Sequence, residues 1–318
     1  MTSSQATESP VAMVYEPNSR AYGQTLPIVV PVGPGHDPRA AVESSLRSSR
    51  GDGAHPSTLH IVILNGSREP AVEPGLLVRE LTSLTPDLAV AVIPADVGYV
   101  RAVRAGLGIA SRLGCHADLV GFLDADALLC DLGHWSVLAK ALSLNPMLDA
   151  VSGLVIHEHC EVWETPSSQR FIEAVARVVG VVEKPYIQGG AGGTLARRQV
   201  FEQAVDQALA MGTLIGPTLS ATSLAAGREI RATSRLLCRH TPRRTLNEWV
   251  VSVTAYEKSW RALVREYGSD IERPWQQFLH VAEECVRTDH ELARDLAHCQ
   301  ELRRQVVAAV EHGERLPE

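Results

Sequence analysis

Four short apolar runs at nearly equal intervals constrain this chain more than any other feature. They are Pro27–Val32, Leu59–Leu64, Leu88–Ile93 and Leu119–Leu123, and their starts lie 32, 29 and 31 residues apart. That interval accommodates a strand, a crossover helix and two loops, which is one βαβ unit. The runs are continuously apolar instead of alternating, as strands buried on both faces of a parallel sheet are. The segments between them agree. Tyr99–Leu113 places Val100, Val103, Leu107 and Ala110 at helical steps, with Arg101, Arg104 and Arg112 elsewhere on its surface. A fifth run, Ala150–Ile156, follows a helix expected from Trp135 to Leu144. The expectation is an α/β fold: a mostly parallel central sheet flanked by helices, Rossmann-like in plan.

After residue 157 the pattern changes. Residues 157 to 190 have no clear period, and Gly189-Gly190-Ala191-Gly192-Gly193 breaks any regular element before a helix expected over Arg198–Met211. A helix through Leu219–Ala226 is stopped by Gly227, and a short strand begins at Glu229. Beyond Thr245 the sequence reads as helical, with Pro274 the expected break.

Composition narrows the partners. The 318 residues carry 30 Lys+Arg against 37 Asp+Glu, a net charge of −7, and only 5% are aromatic. A mildly acidic chain short of stacking side chains is a poor nucleic-acid binder, so no nucleic acid is expected as a partner. No apolar run approaches the roughly 20 residues of a membrane span. The polar start, with Glu8 and Glu16, lacks the apolar stretch of a signal peptide. A cytoplasmic protein is expected, residues 1–25 forming a loose arm. Cys115, Cys130, Cys160, Cys238, Cys285 and Cys299 include no C-x-x-C pair and read as reduced and structural.

The strongest chemical signal is Asp124-Ala125-Asp126, directly after the run Leu119–Leu123. In an open parallel sheet the carboxyl ends of the strands form the ligand crevice. Two carboxylates two residues apart at such an end can converge on a hard divalent cation. His157 and His159 would share one face of a strand, half of a zinc site, but no further ligands stand at recognisable spacing.

Taken in order, Pro31-Val32 closing the first run, Asn65-Gly66-Ser67 after the second, Val97-Gly98 with Arg101–Leu107, Phe122-Leu123-Asp124-Ala125-Asp126 and Gln188–Arg198 resemble a family-2-type glycosyltransferase of the GT-A fold. The likeness runs from Pro27 to about Trp260, some three quarters of the chain. It implies a GT-A domain over 26–260 with a helical C-terminal extension over 261–318. It further implies a hexosyltransferase-type enzyme that takes a UDP- or GDP-type nucleoside diphosphate sugar and a small or soluble acceptor. Mn or Mg would bridge the D-x-D pair and the diphosphate. By the same resemblance Pro31, Val32, Gly33, Asn65, Arg104, Asp124, Ala125 and Asp126 bind the nucleotide sugar, Arg104 facing the diphosphate or a carboxylate near it; read from the helix alone, Arg104 is equally a solvated surface arginine. Gly189, Gly190, Ala191, Gly192 and Gly193 form the donor/acceptor loop, and Asp124, Asp126 and His240 hold the metal.

Two departures stand out. The family's loop after the second strand carries an acidic residue that bonds the base, where this chain has Asn65. Inverting members begin the helix after the glycine loop with an acidic base, but Gly216-Pro217-Thr218 contains none, so the catalytic base is unassigned and inversion and retention both stay open. Trp163 and Trp260 are candidates for stacking on an acceptor sugar or for core packing. A degenerate binding protein is the first alternative. A sugar-phosphate nucleotidyltransferase ranks lower, because Gly33-Pro34-Gly35-His36 lacks the Thr-Arg of that class. The helical tail from Ile271 either packs on the core or forms a homodimer.

Overall fold

The computed structural model describes residues 11–17, 22–49, 57–66, 73–157, 183–184, 189–240 and 246–274, with single positions beyond. The sheet strands are β1 (Ala12–Tyr15), β2 (Leu26–Val32), β3 (Thr58–Asn65), β4 (Leu88–Ile93), β5 (Leu119–Phe122), β6 (Ala127–Leu129), β7 (Leu148–His157), β8 (Glu183–Lys184), β9 (Thr194–Arg197) and β10 (Glu229–His240). The helices are α1 (Arg39–Ser48), α2 (Pro74–Leu84), α3 (Tyr99–Arg112), α4 (His134–Leu144), α5 (Arg198–Met211), α6 (Ile215–Ala225) and α7 (Leu246–Tyr267).

All ten strands form one sheet in the order β1-β4-β3-β2-β5-β9-β7-β10-β6, with β8 paired to β10. The four periodic runs are the parallel block β4-β3-β2-β5. Its order reverses at β2: β3 and β4 build outward on one side and β5 lies on the other. That topological switch point is where an α/β sheet leaves a crevice at the strands' carboxyl ends.

The second half departs from a simple parallel sheet. Strand β9 inserts antiparallel between β5 and β7, and β6 runs antiparallel to β10. The turn through Gly189–Gly192 precedes β9, so the same glycines that break the pattern in sequence set up the reversed strand. Strand β10 is longer than the short strand expected at Glu229. It runs twelve residues with a register shift between Thr233 and Leu237, and arginines at 231, 235 and 239 disguise it as surface sequence. Within the expected loose arm, Ala12–Tyr15 forms an edge strand on β4.

The parallel strands are buried on both faces. Ile28, Val30, Val62, Leu64 and Val90 face the α1 and α2 side with Leu77 and Leu81. Val29 packs with Val103 and Leu107, while Ile61, Ile63, Ala89 and Ala91 meet Ala102 and Ile109, all four helix residues lying on α3. Helix α3 comes closest at Gly106, where a methyl group would lie 2.5 Å from Val29 Cγ1.

Helix α6 begins at Ile215, before the expected Leu219, and Gly227 follows it with φ +68°, the left-handed stop that glycine accepts readily. The C-terminal break falls at Gly268 (φ +86°), not at Pro274; helix resumes there, and proline is well suited to a first helical turn, where its missing N–H costs nothing. Helix α7 crosses residue 260 without interruption, and Leu263 and Ile271 pack against Ala221 of α6. Cys115 and Cys238 are buried and Cys130 is exposed, all three free. No single described helix is long and apolar enough to cross a membrane. Ser67, Glu158–Cys160, Trp163, Gln188, Cys285 and Cys299 lie outside the described residues.

The core holds two neutral histidines. Ser45 Oγ accepts from Trp135 Nε1 at 2.9 Å and lies 2.8 Å from His60 Nε2, within hydrogen-bond distance. Burial lowers the pKa of His60 to about 4, and does the same for His134 despite its bond to the Gly193 carbonyl. Both values fall below the ordinary 6.5, so the unfolded chain binds the extra protons. Stability from these sites is complete above pH 6.5 and is lost as pH falls towards 4. Between pH 6 and 5 each site should cost about 1 kcal/mol per pH unit. Urea unfolding across that window measures the slope, and His60→Gln should remove one histidine's share.

Candidate active site

The loop after β5 is shaped before any ligand arrives. The Asp124 N–H donates to the Gly190 carbonyl at 3.1 Å, and Ala127 N–H closes a turn back to the Asp124 carbonyl at 3.1 Å. The turn returns the chain as β6, whose Ala127 pairs with His240 on β10. Residues 113 positions apart in sequence are thereby placed side by side. His240 Nε2 stands 3.1 Å from Asp126 Oδ1 and 3.9 Å from Asp124 Oδ2.

Each of these three residues offers a ligand atom within 4.8 Å of the other two. The carboxylates are about one-fifth exposed and the imidazole is nearly buried. Two hard oxygens and one borderline nitrogen suit Mn and admit Mg less well. His36, from the loop after β2, brings Nδ1 to 4.0 Å from Asp126 Oδ2, so imidazoles flank both oxygens of that carboxylate.

The glycine loop supports this turn from below. A methyl group on Gly190 would collide with Asp124 Oδ1 and lie 2.7 Å from its backbone nitrogen. One on Gly192 would lie 2.6 Å from the Gly153 carbonyl, and one on Gly193, whose φ is +58°, 2.8 Å from His134 Nε2. These glycines are needed for protein packing beneath the carboxylates, quite apart from any donor or acceptor.

Beside the acidic turn, the Tyr99 hydroxyl at the start of α3 donates to Asp124 Oδ1. Its ring stands 5.7 Å from that of Phe122. Desolvation first, then the Asp124 charge, raises the Tyr99 pKa well above 10, with Tyr256 of α7 adding to the effect. Part of the Tyr99 side chain stays exposed.

On the rim, Asn65 is buried and its amide is fixed. Its Oδ1 accepts from Val97 N–H at 3.0 Å, and its Nδ2 donates to Asp96 Oδ1 at 2.7 Å. Asp96 Oδ1 also accepts from Gly98 N–H at 2.9 Å. A methyl group on Gly66 would lie 3.0 Å from both Pro34 Cγ and Asp96 Cβ, so the loops after β2, β3 and β4 converge there.

The structure therefore brings together Asp124, Ala125, Asp126, His240 and Gly189–Gly193, with Pro31, Val32, Gly33 and Asn65 at neighbouring strand ends. It does not bring Arg104 in. That guanidinium lies 3.0 Å from Asp206 of α5, a solvated pair between two helices, instead of facing a diphosphate. Trp260 packs near Leu263 and Ile271 and donates to Glu272, so packing accounts for it. At the start of α6, Thr218 bonds Thr213 and the Leu214 carbonyl, and no carboxylate stands on that helix. His36, Asp96, Tyr99 and Tyr256 were not singled out in sequence. The first three follow the carboxyl ends of β2 and β4, so the rule that flagged Asp124 could have found them.

No family model matches the chain, and no curated protein does. Among solved structures it is similar to a mannosyltransferase, PcManGT from Pyrobaculum calidifontis, determined in complex with GDP-Man and Mn2+. The TM-score is 0.56 at 16% identity, over 95% of this chain and 82% of that one. At that identity the likeness establishes a shared fold, an α/β sheet core flanked by helices.

Asp126→Ala should abolish Mn binding with the circular dichroism spectrum unchanged. His240→Ala should weaken it by about 10–100-fold or more, at least what an outer-sphere partner of a metal typically costs. Titration calorimetry checks both, and wild-type affinity in His240→Ala would remove it as a ligand.

Proposed function

We propose that this chain is a metal-dependent glycosyltransferase that moves a sugar from a nucleoside diphosphate sugar to a small or soluble acceptor. The observation that carries the reading is the Asp124–Asp126–His240 cluster, gathered within 4.8 Å at the switch point of an open α/β sheet. The fold shared with a mannosyltransferase solved with GDP-Man and Mn2+ supports a donor of that chemical class. A GT-A assignment, with family-2-type relatives, fits the same features.

Asp124, Asp126 and His240 would hold the cation, with Mn favoured over Mg by the imidazole. Bound there, a divalent cation acts as a Lewis acid that stabilises charge on a leaving diphosphate. The chain's own groups do the rest. Tyr99 keeps Asp124 oriented, Gly190 fixes its backbone, and His36 stands at the outer edge of the Asp126 carboxylate. With no carboxylate on α6, transfer on the same face as departure is the simpler chemistry. The acceptor oxygen bonds the anomeric carbon, the bond from that carbon to the phosphate oxygen breaks, and the acceptor's proton passes to that oxygen.

The second reading, a catalytically silent binder of nucleotides or carbohydrates, is favoured by that same missing carboxylate. A panel of UDP, GDP and dTDP sugars with Mn separates the two. The enzyme should release free nucleoside diphosphate slowly without acceptor, and Asp126→Ala should abolish the release. Silence across the panel, with Mn-dependent nucleotide binding retained, would establish the binder instead.

A further inference from the structure

We infer that Asp96 reads the base of the donor nucleotide and selects guanine. The inference rests on the nucleotide-sugar reading above and deepens it. The sequence carries an amide, Asn65, at the strand end where the resemblance calls for an acid. The structure shows where the acid is: one strand over, on the loop after β4, hydrogen-bonded to that same amide at 2.7 Å. The two residues constrain each other. An acid at 65 would set two carboxylates within hydrogen-bonding distance, so position 65 stays neutral while Asp96 carries the charge.

The pair is fixed in orientation before a ligand arrives. Val97 N–H holds Asn65 Oδ1, which leaves the amide nitrogen to face Asp96. Asn65 Nδ2 and Gly98 N–H fill the two lone pairs of Asp96 Oδ1. Oδ2 has no partner among the described residues, and the residue is exposed on the rim. It is on the same wall as the acidic turn: Tyr99, three residues on, bonds Asp124, and Pro34, against the same Gly66, is two residues from His36 beside Asp126.

Oδ2 thus offers two lone pairs with no partner among the described residues, and the Asn65 amide has a second hydrogen besides the one given to Oδ1. Guanine carries two N–H groups side by side on one edge, N1–H and N2–H, next to a carbonyl. It can fill both lone pairs while its O6 accepts from Asn65. Uracil and thymine present one N–H between two carbonyls. Adenine and cytosine set an amine beside a ring lone pair that faces the carboxylate. Guanine alone gains the second charge-assisted hydrogen bond.

The test is binding of GDP, IDP and UDP to the full chain in the presence of Mn, followed by calorimetry. IDP is GDP without the 2-amino group. Wild type should bind GDP about tenfold or more tighter than either IDP or UDP, the worth of one hydrogen bond to a charged group. Asp96→Asn keeps an oxygen for Asn65 and Gly98, so the loop holds. It should weaken GDP by about the same factor and bring the three ligands within about threefold of one another. Equal binding of GDP and IDP by wild type, or a preference for UDP, overturns the base assignment alone. An unchanged GDP preference in Asp96→Asn does the same. Failure of all three to bind overturns the donor reading and the base assignment together.

Discussion

The site depends on one backbone contact, the hydrogen bond from Asp124 N–H to the Gly190 carbonyl. It ties the end of β5 to the loop that precedes β9, and only a residue without a side chain fits at 190, because a methyl group there would occupy the space of the Asp124 carboxylate. From that contact the rest follows. The turn after Asp124 starts β6, β6 pairs with β10, and β10 delivers His240. Backbone bonds between buried elements fix this geometry far better than exposed side chains could.

Charge is placed with the same economy. A chain of net charge −7 concentrates two carboxylates at the switch point, and several of its arginines pair elsewhere. Arg104 pairs with Asp206, Arg198 with Glu202, and Arg228 and Arg197 close on the buried Asp149 at the far end of the sheet. Among the described residues, the imidazoles of His36 and His240 and the phenol of Tyr99 stand against the carboxylates. Asp124, Asp126 and His240 among them could hold a metal ion.

Much of the first half was legible. The four apolar runs became β2 to β5 within a residue or two of their expected ends, and the Tyr99 and Arg198 helices start where their periodicity says. Continuous apolar strands and amphipathic helices are local signals, because the same residues that form the element also bury it. The second half was harder. Strand β10 alternates arginines with apolar residues, and β9 is four residues long, so neither announces an interior position; burial between other strands decides it. Gly189–Gly193 was legible as a break, but its partner, Asp124, was not.

The sequence by itself determined a layered α/β sheet, the strand end that carries Asp124 and Asp126, the absence of an acid at the start of α6, and the amide at position 65. The tertiary structure alone decided that Arg104 turns away to Asp206 and that Asp96 stands against Asn65, and it placed His240, which the resemblance had implied, beside those carboxylates. The physical reason is range. Periodicity and turn chemistry act over a few residues, whereas each of these pairings joins residues 31 to 116 positions apart in sequence, where register and helix packing choose the partner.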